Sequence, residues 1–414
     1  MIRRNAIGRP WLAAAFLLAA LAGPGAAAAQ DSWIGSWGAS PAFPVGPELS
    51  NATVRQLVRI SAGGSQVRVR FTNETGTQPL VIGAATIARP GNAPGSIDPA
   101  SSKPLTFGGA TSITVPPGAP AISDPVDLAV SPLDTLAISL FVPRWTGPSV
   151  VHPLGVQTAW VSLAGDSTAA ATLPEATDPT MRFESTMRFM LSRIEVAAEG
   201  GTVVTLGDSI TDGYGSGDNA NRRWPDILAE RLAKAGGPAV GVVNSGISGN
   251  RILHDLPEQM FGPSALSRFD RDVLSVPGVR WVVIMEGIND IGHSGSAGLA
   301  EQAVSAEEII GGLRQLVARS HGAGLKAYCA TLTPYEGTVF ANYYSAEGET
   351  KRQAVNQWIR TGKGCDAVID FDSVVRDQAQ PSKLKAEFDV GDRLHPNAAG
   401  YEAMANSVDL GLFK

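Results

Sequence analysis

The sequence predicts two folded parts, an all-β sandwich followed by a doubly wound α/β domain with a parallel sheet. Two successive patterns carry this prediction. Apolar residues recur with period two from about Asp31 to Ala198, and after Glu199-Gly200-Gly201 short apolar runs alternate with helical stripes. The chain has 414 residues, of which 44% are hydrophobic and 17% are charged, so it is long and apolar enough to build both cores.

Residues 1–29 have the layout of a secretory signal peptide. Arginines precede a short apolar run, Trp11–Ala22, which small residues follow up to a cleavage site near Ala29 or Gln30. The run is shorter than the ~20 residues of a membrane span. A twin-arginine signal is a second interpretation of the pair Arg3-Arg4. We therefore expect a secreted or periplasmic protein without a membrane span.

Charge and composition exclude several classes of partner. The chain has 33 basic and 39 acidic residues, a formal net charge of −6, which argues against non-specific nucleic-acid binding. Neither metal-ligand spacing nor a Gly-rich phosphate loop with a lysine occurs, so we expect no metal and no nucleotide cofactor. The sequence leaves the oligomeric state open.

The predicted sandwich, of jelly-roll type, covers residues 31–198. Its strands show alternation of apolar and polar residues, as in the run Gln66–Phe71. Gly63-Gly64 separates that run from Arg55–Ile60, which predicts a hairpin. The outward arginines of these runs are interpreted as a solvated sheet face, with an acidic partner as the alternative; they are Arg55, Arg59, Arg68 and Arg70.

The predicted α/β domain covers residues 200–414 and has five buried parallel strands. Helical stripes of apolar residues lie between the strands, one beginning at Trp224 and another at Ile309. This alternation predicts right-handed crossovers and a doubly wound layer. The strand runs are Thr202–Leu206, Val240–Asn244, Trp281–Glu286, Leu325–Leu332 and Ala367–Phe371.

The chain has two cysteines, Cys329 and Cys365. Export makes a disulfide chemically possible. If the last two predicted strands are neighbours, however, Cys329 lies in the middle of one and Cys365 lies before the other, an offset of about four residues at ~3.3 Å each. We favour two buried thiols and keep the disulfide as the alternative.

Polar residues follow four of the predicted strands, at the edge where ligands of open parallel sheets collect. Ser209 follows the first strand and would be a nucleophile, with His395 as its base and Asp392 as the group that orients the imidazole. The backbone N–H groups of Ser209 and Gly249 and the side-chain amide of Asn289 would stabilise an oxyanion. These residue types together predict acyl transfer.

The same four segments resemble the SGNH hydrolases, also called the GDSL esterase/lipase family. The resemblance runs from about Thr202 to the C-terminus and rests on Gly-Asp-Ser-Ile at Ser209, Ile-Ser-Gly-Asn at Gly249, Gly-Ile-Asn-Asp at Asn289 and Asp-x-x-His-Pro at His395. It implies a flavodoxin-like hydrolase domain. The β region ahead of that domain, and Arg222-Arg223-Trp224-Pro225, resemble the branch that includes secreted acetylxylan-esterase-like enzymes.

We therefore expect a secreted serine esterase for short acyl esters, first of all O-acetyl groups on carbohydrate. The alternatives are a lipase or arylesterase, and a glycan-binding protein whose hydrolase domain is silent. Tyr335, Tyr343 and Tyr344, in the loop after the fourth strand, are candidates for an exposed sugar-stacking rim, with exposed tyrosines of no specific role as the alternative. His254 and His293 are interpreted as polar loop residues, with cleft lining as the alternative.

Overall fold

The computed structural model describes residues 32–174, 179–255, 258–362 and 364–414, so the predicted signal peptide lies outside the described residues. Residues Ser32–Lys414 form one compact unit, with an antiparallel β region ahead of an α/β region. Within the described residues, no helix combines the length and the apolar character that crossing a bilayer requires.

The β region contains two larger antiparallel sheets. One has the order β1-β17-β4-β10, with β9 also pairing with β4; the other has the order β15-β14-β3-β11-β6-β7. Three two-stranded ribbons, β12-β2, β13-β16 and β5-β8, complete this region. The strands are β1 Trp33–Gly38, β2 Gly46–Glu48, β3 Ala52–Arg59, β4 Gly64–Asn73, β5 Leu80–Ile82, β6 Ala84–Ala88, β7 Lys103–Pro104, β8 Ile113–Val115, β9 Ala119–Ile122, β10 Val126–Val130, β11 Thr135–Val142, β12 Pro148–Ser149, β13 Val151–His152, β14 Ala159–Ser162, β15 Arg182–Ser185, β16 Arg188–Phe189 and β17 Leu191–Ala197.

The two larger sheets share one apolar core, which makes the region sandwich-like. Val67 and Val69 of β4 and Val54 of β3 are fully buried in it, as the period-two pattern predicts. The predicted hairpin is wrong, because β3 and β4 belong to different sheets. Gly63 and Gly64 instead carry the chain from one sheet to the other. Alternation identifies the buried face of a strand but not its partner.

The prediction of a solvated arginine face is also wrong. Arg55 is fully buried, and its guanidinium donates to Ser139 Oγ at 2.9 Å and to the main-chain carbonyls of Gly95 at 3.0 Å and Ala170 at 2.8 Å. Burial lowers the pKa of Arg55 to about 10. The other three arginines form ion pairs with carboxylates: Arg59 with Glu230, Arg68 with Glu195 and Arg70 with Glu74.

The α/β region is built on the predicted five-stranded parallel sheet, in the order β19-β18-β20-β21-β22. The register pairs Thr205 of β18 with Asn244 of β19 on one side and with Val283 of β20 on the other. Along the chain this order is 2-1-3-4-5, a doubly wound arrangement. The strands are β18 Gly200–Gly207, β19 Ala239–Gly246, β20 Val279–Met285, β21 Lys326–Ala330 and β22 Ala367–Ile369.

Helices cover this sheet and follow the predicted stripes. Trp224 and Leu228 are fully buried on one helix, and Ile309 and Leu316 on another. The α-helices are α1 Ser209–Asp212, α2 Trp224–Ala235, α3 Ala265–Phe269, α4 Ile288–Ser296, α5 Ala306–Gly322, α6 Ala346–Arg360, α7 Phe371–Val375 and α8 Ala398–Ser407. A π-helical turn, Asp270–Leu274, continues α3. The 3-10 turns are Pro99–Ser101, Pro179–Met181, Gln259–Phe261, Ala300–Gln302, Ala386–Phe388 and Leu410–Phe413.

The β region packs directly against the parallel sheet, along its edge strand β19. The backbones approach so closely that a Cβ on Gly241 would lie 1.9 Å from the carbonyl oxygen of Gly35 in β1. Ser61 Oγ accepts a hydrogen bond from the N–H of Val242 at 2.8 Å, and Thr202 Oγ1 accepts one from the N–H of Gly35 at 2.9 Å. The edge of the sheet is therefore covered. The predicted domain boundary near residue 200 falls between β17 and β18 and stays a prediction.

A disulfide joins Cys329 and Cys365, whose Cα atoms are 5.9 Å apart. The favoured interpretation, two free thiols, is wrong. Cys329 lies in β21 opposite Val368, so a straight extension of β22 would place Cys365 out of reach. The segment before Ala367 instead bends back toward β21, where the N–H of Asp366 donates to the carbonyl of Ala327 at 2.8 Å.

We predict that reducing this disulfide destabilises the fold. The bridge closes a loop with a sequence separation of 36, for which the chain-entropy treatment gives about 3–4 kcal/mol. Urea unfolding with and without reductant measures the difference. A Cys329→Ser/Cys365→Ser variant is the control, since its stability is expected not to respond to reductant. Equal stability of the oxidised and reduced wild-type protein would contradict the prediction.

Candidate active site

Ser209 stands where β18 ends and α1 begins, at the carboxyl edge of the sheet. The preceding Asp208 caps this short helix, because its Oδ1 accepts a hydrogen bond from the N–H of Ile210 at 3.0 Å. Gly213 ends the helix with a φ of 103°, and a Cβ there would collide with the side chain of Arg223. The strand–turn–helix junction thus presents Ser209 at the rim of the sheet, with 7% of its surface exposed.

Ser209, His395 and Asp392 form a continuous line of hydrogen bonds. Ser209 Oγ lies 2.8 Å from His395 Nε2, and His395 Nδ1 lies 2.6 Å from Asp392 Oδ2. A carboxylate only accepts, so the proton on the ring belongs on Nδ1. His395 Nε2 is then left with a free lone pair directed at the Ser209 hydroxyl. This is the geometry in which an imidazole removes a proton from an alcohol.

A tight turn holds Asp392 against His395. Asp392 Oδ1 accepts hydrogen bonds from the backbone N–H groups of Leu394 at 2.9 Å and His395 at 2.8 Å. Between them Arg393 has a φ of 62°, and its side chain pairs with Asp389 at 3.1 Å. Burial raises the pKa of Asp392, but the hydrogen bonds from His395 outweigh it and leave the pKa below its ordinary value. Asp392 is therefore ionised when it orients the imidazole.

The three predicted oxyanion donors belong to segments that converge beside this line. Ser209, Gly249 and Asn289 all line one cavity with His395. Within the described residues, the N–H groups of Ser209 and Gly249 have no hydrogen-bond acceptor. Gly249 has a φ of 77° and packs against the ring of Phe261, so a side chain there would be strained and obstructed. The roles of these groups stay predictions.

Tyr343 is a site residue whose position sequence analysis misjudged. Its hydroxyl donates to Asn289 Oδ1 at 2.7 Å, and Asn289 Nδ2 donates to the carbonyl of Asn250 at 2.9 Å. The amide of Asn289 is held at both ends, with one N–H left over. Tyr343 is buried, so its predicted place in an exposed rim is wrong, although the side chain does line the cavity.

The other two tyrosines lie farther from the chemistry. Tyr335 is fully buried in the apolar core, so its prediction as a stacking residue is wrong. Tyr344 is half-buried, with its ring centroid 5.1 Å from that of Tyr335. The segment between β21 and α6 has no regular secondary structure, so the sequence predicts it only as a loop. It nevertheless packs inward, and its tyrosines extend the apolar core.

The cavity beside Ser209 has a volume of about 410 Å³. Tyr214 lies over His395, with ring centroids 4.4 Å apart, and Phe340 meets the same imidazole edge-on at 6.1 Å. Most of the wall is aromatic or aliphatic, and no lysine, arginine or carboxylate of the described residues lines it. Its further lining residues are Ser248, Phe261, His293, Ser296, Ala341, Tyr343 and Leu394.

His293 lines the cavity, so its interpretation as an ordinary loop residue is wrong. It lies on α4, stacked on Phe261 with a centroid distance of 5.3 Å and edge-on to Tyr343 at 5.5 Å. Burial, with a smaller contribution from Arg251, lowers the pKa of His293 to about 4, so the side chain is neutral near pH 7. His254 is half-buried and does not line the cavity.

Three buried acids lie beneath the site: Asp208, Glu286 and Asp290. Burial raises the pKa of Asp208 to about 7 and that of Asp290 to about 6, and it raises the pKa of Glu286 well above its ordinary value. Arg268, whose guanidinium is 4.0 Å from Glu286, faces this group. Within the described residues, no set of three histidine, cysteine or acidic side chains is arranged to hold a metal ion.

Residues 205–403 match the model of the GDSL-like lipase/acylhydrolase family. The chain carries a GDSL-like lipase/acylhydrolase domain. This confirms the resemblance that the four sequence segments indicated, and it confirms the class of enzyme, a carboxylic ester hydrolase. A comparison with curated proteins found no match.

Solved structures with a similar domain include several esterases. A lipolytic protein of the G-D-S-L family from Desulfitobacterium hafniense is 22% identical, with a TM-score of 0.37 over 50% of this chain and 96% of that one. The carbohydrate acetylesterase Est24 from Sinorhizobium meliloti is 16% identical, with a TM-score of 0.39 over 50% and 95%. The acetyl xylan esterase AlAXEase is 20% identical, with a TM-score of 0.38 over 50% and 96%.

The contacts of Asn289 generate a graded prediction. Asn289→Ala is expected to lower kcat by about 10²–10³ because it removes a predicted oxyanion donor. Tyr343→Phe keeps the ring but frees one end of the amide, and we expect kcat to fall about threefold to tenfold, the worth of one hydrogen bond. Steady-state kinetics with p-nitrophenyl acetate measures both. A kcat of Asn289→Ala within threefold of wild type would remove that residue from the oxyanion hole.

Proposed function

We propose that this chain is an exported serine esterase in which Ser209, His395 and Asp392 act as nucleophile, base and orienting acid. The observation that carries the proposal is the unbroken line of hydrogen bonds through these three side chains, 2.8 and 2.6 Å long. It opens on a cavity lined by Asn289 and Gly249. A nucleophile, a base, an orienting carboxylate and oxyanion donors are what acyl transfer requires.

Each side chain has a defined part in the reaction. His395 Nε2 takes the Ser209 proton as Oγ attacks the ester carbonyl, and the carbonyl oxygen, now negative, is stabilised by the N–H groups of Ser209, Gly249 and Asn289. The imidazolium then gives its proton to the departing alcohol, which leaves an acyl group on Ser209. Water attacks this acyl-enzyme with His395 again as base, the bond between the acyl carbon and Ser209 Oγ breaks, and His395 returns the proton to Oγ as the carboxylic acid is released. Asp392 stabilises the imidazolium throughout.

The substrates that we propose are short acyl esters, with O-acetyl carbohydrates first. This choice rests on the resemblance of the two-part chain to acetylxylan-esterase-like enzymes. The lining of the cavity is suited to an uncharged acyl group, since no lysine, arginine or carboxylate of the described residues lies in its walls. Tyr335 is buried in the core and does not contribute to a sugar-stacking surface.

Esters with an apolar acyl or aryl group are a second candidate, and the surroundings of the cavity favour them. Tyr214 and Phe340 line the cavity and each remains 41% exposed. Met260 and Val339 are exposed as well, and each is adjacent in sequence to a phenylalanine that lines the cavity, Phe261 or Phe340. An apolar rim of this kind is common where a protein binds an apolar ligand. The two candidates share one mechanism and differ in the group that occupies the cavity.

Export is supported by two independent features. The arginines and the apolar run within residues 1–29 have the layout of a signal peptide. The Cys329–Cys365 disulfide is of a kind that forms and persists in oxidising compartments. We therefore propose that the mature enzyme works in the periplasm or outside the cell.

The mechanism predicts that Ser209→Ala abolishes hydrolysis of p-nitrophenyl acetate while the protein stays folded. The expected loss is about 10³-fold or more in kcat, because alanine lacks the hydroxyl that lies 2.8 Å from His395 Nε2. Ser216→Ala, which alters another buried serine outside the cavity, is the matched control and should keep wild-type kcat. Turnover by Ser209→Ala at the wild-type rate would end the proposal.

A chain-length series of p-nitrophenyl esters separates the two substrate candidates. An optimum at acetate, together with release of acetate from acetylated polysaccharides, is expected for the carbohydrate esterase. An optimum at about eight carbons or longer would favour the second candidate, because each additional buried CH₂ contributes about 0.8 kcal/mol to binding. Phe340→Ala is the informative variant, since it should lower kcat/KM for long esters more than for acetate.

A further inference from the structure

His152 is a residue of the β region that reaches into the α/β region beside the candidate active site. It lies on β13, and its Nε2 is 2.9 Å from Oδ1 of Asp212, the last residue of α1. Both side chains are buried, with 4% and 1% of their surfaces exposed. The first residue of α1 is Ser209, so this contact joins the two regions at the helix that carries the proposed nucleophile.

The contacts of the imidazole define its protonation. His152 Nδ1 faces the carbonyl oxygen of Ser40 at 2.9 Å, while Nε2 faces the carbonyl oxygen of Leu154 at 3.0 Å and the Asp212 carboxylate. All of these oxygens are acceptors, so both ring nitrogens have to donate and the ring is an imidazolium. Burial lowers the pKa of His152, but Asp212 and the two carbonyls outweigh it and hold the pKa above its ordinary value.

The other oxygen of the same carboxylate holds the turn that carries Gly249. Asp212 Oδ2 accepts hydrogen bonds from the N–H of Ser248 at 2.9 Å and from Ser248 Oγ at 2.8 Å. Ser248 is directly followed by Gly249, a residue that lines the cavity and whose N–H is the second oxyanion donor of the proposed mechanism. Asp212 thus ties this donor to the helix of Ser209, and His152 ties Asp212 to the β region.

We propose that His152 is a positioning residue for the esterase reaction, acting through Asp212 on the Gly249 N–H. The inference rests on the proposed function, since it assigns a support to the oxyanion donor of that mechanism. Removing the imidazolium takes away the charged hydrogen-bond partner of a buried carboxylate, so Asp212 turns or recruits water and the Ser248–Gly249 turn shifts. The β region is then a structural part of the active site and not a separable binding module.

The test is a double-mutant cycle in the full chain with His152→Gln, Asp212→Asn and the pair of changes together. His152→Gln is expected to lower kcat for p-nitrophenyl acetate about tenfold with KM within twofold, because a displaced oxyanion donor weakens stabilisation of the transition state more than binding of the uncharged ester. The double variant is expected to have the kcat of the less active single variant, since both changes break the same contact between His152 and Asp212. Rates are taken per active site titrated with a fluorophosphonate.

His321→Gln is the matched control, because His321 also pairs with an aspartate, Asp366, at 2.7 Å, but on the exposed surface. It should keep wild-type kcat. If His152→Gln does not fold, Ser248→Ala tests the same link while keeping both charges, and a lower kcat at unchanged KM is expected from it.

Wild-type kcat in His152→Gln, losses that add in the double variant, or a change in KM alone would overturn the inference, as would wild-type kcat in Ser248→Ala. The result for Ser209→Ala separates this outcome from failure of the mechanism. An inactive Ser209→Ala with a fully active His152→Gln removes only the positioning role, whereas an active Ser209→Ala removes the proposed mechanism itself.

Discussion

The hydrogen bond between Ser209 Oγ and His395 Nε2 joins two positions that are 186 residues apart in the chain, at a distance of 2.8 Å. Proton transfer needs this distance, and a small displacement of either segment removes it. The fold meets the requirement by ending β18 at Gly207, two residues before Ser209, and by packing the loop before α8 over the same edge of the sheet. Every other feature of the site is useful only while that contact holds.

The surroundings of this hydrogen bond are built from both regions of the chain. The β region covers edge strand β19 and fixes it through the close backbone approach of Gly35 and Gly241. It also supplies His152 to the carboxylate beneath the Gly249 turn. Contacts of this density are expected of one cooperative structure, and they agree with a single compact unit from Ser32 to Lys414.

Sequence analysis predicted the features that local patterns encode. The apolar stripe that begins at Trp224 lies on α2, and the five apolar runs form the strands of the predicted parallel sheet. The four polar segments could be grouped because parallel strands bring their carboxyl ends to one edge. For the same reason Ser209 and His395 could be predicted to lie close together although they are 186 residues apart in the chain.

Features that depend on distant partners were beyond such patterns. The alternating pattern of its strand predicts an outward side chain for Arg55. In the fold, main-chain carbonyls such as that of Ala170 accept hydrogen bonds from its guanidinium. The partner of His152 is 60 positions away, with no motif to connect them. The spacing of the two cysteines predicts a disulfide only if the chain bends before Ala367, and the turn there brings Cys365 back to Cys329.

The central claim, that Ser209 is the nucleophile, is tested most directly by mapping the covalent adduct of a fluorophosphonate on the full chain. Peptide mass spectrometry of the labelled protein is expected to find the phosphonyl group on the peptide that contains Gly207-Asp208-Ser209, at the serine oxygen. An adduct on another residue, with Ser209 unmodified, would contradict the account.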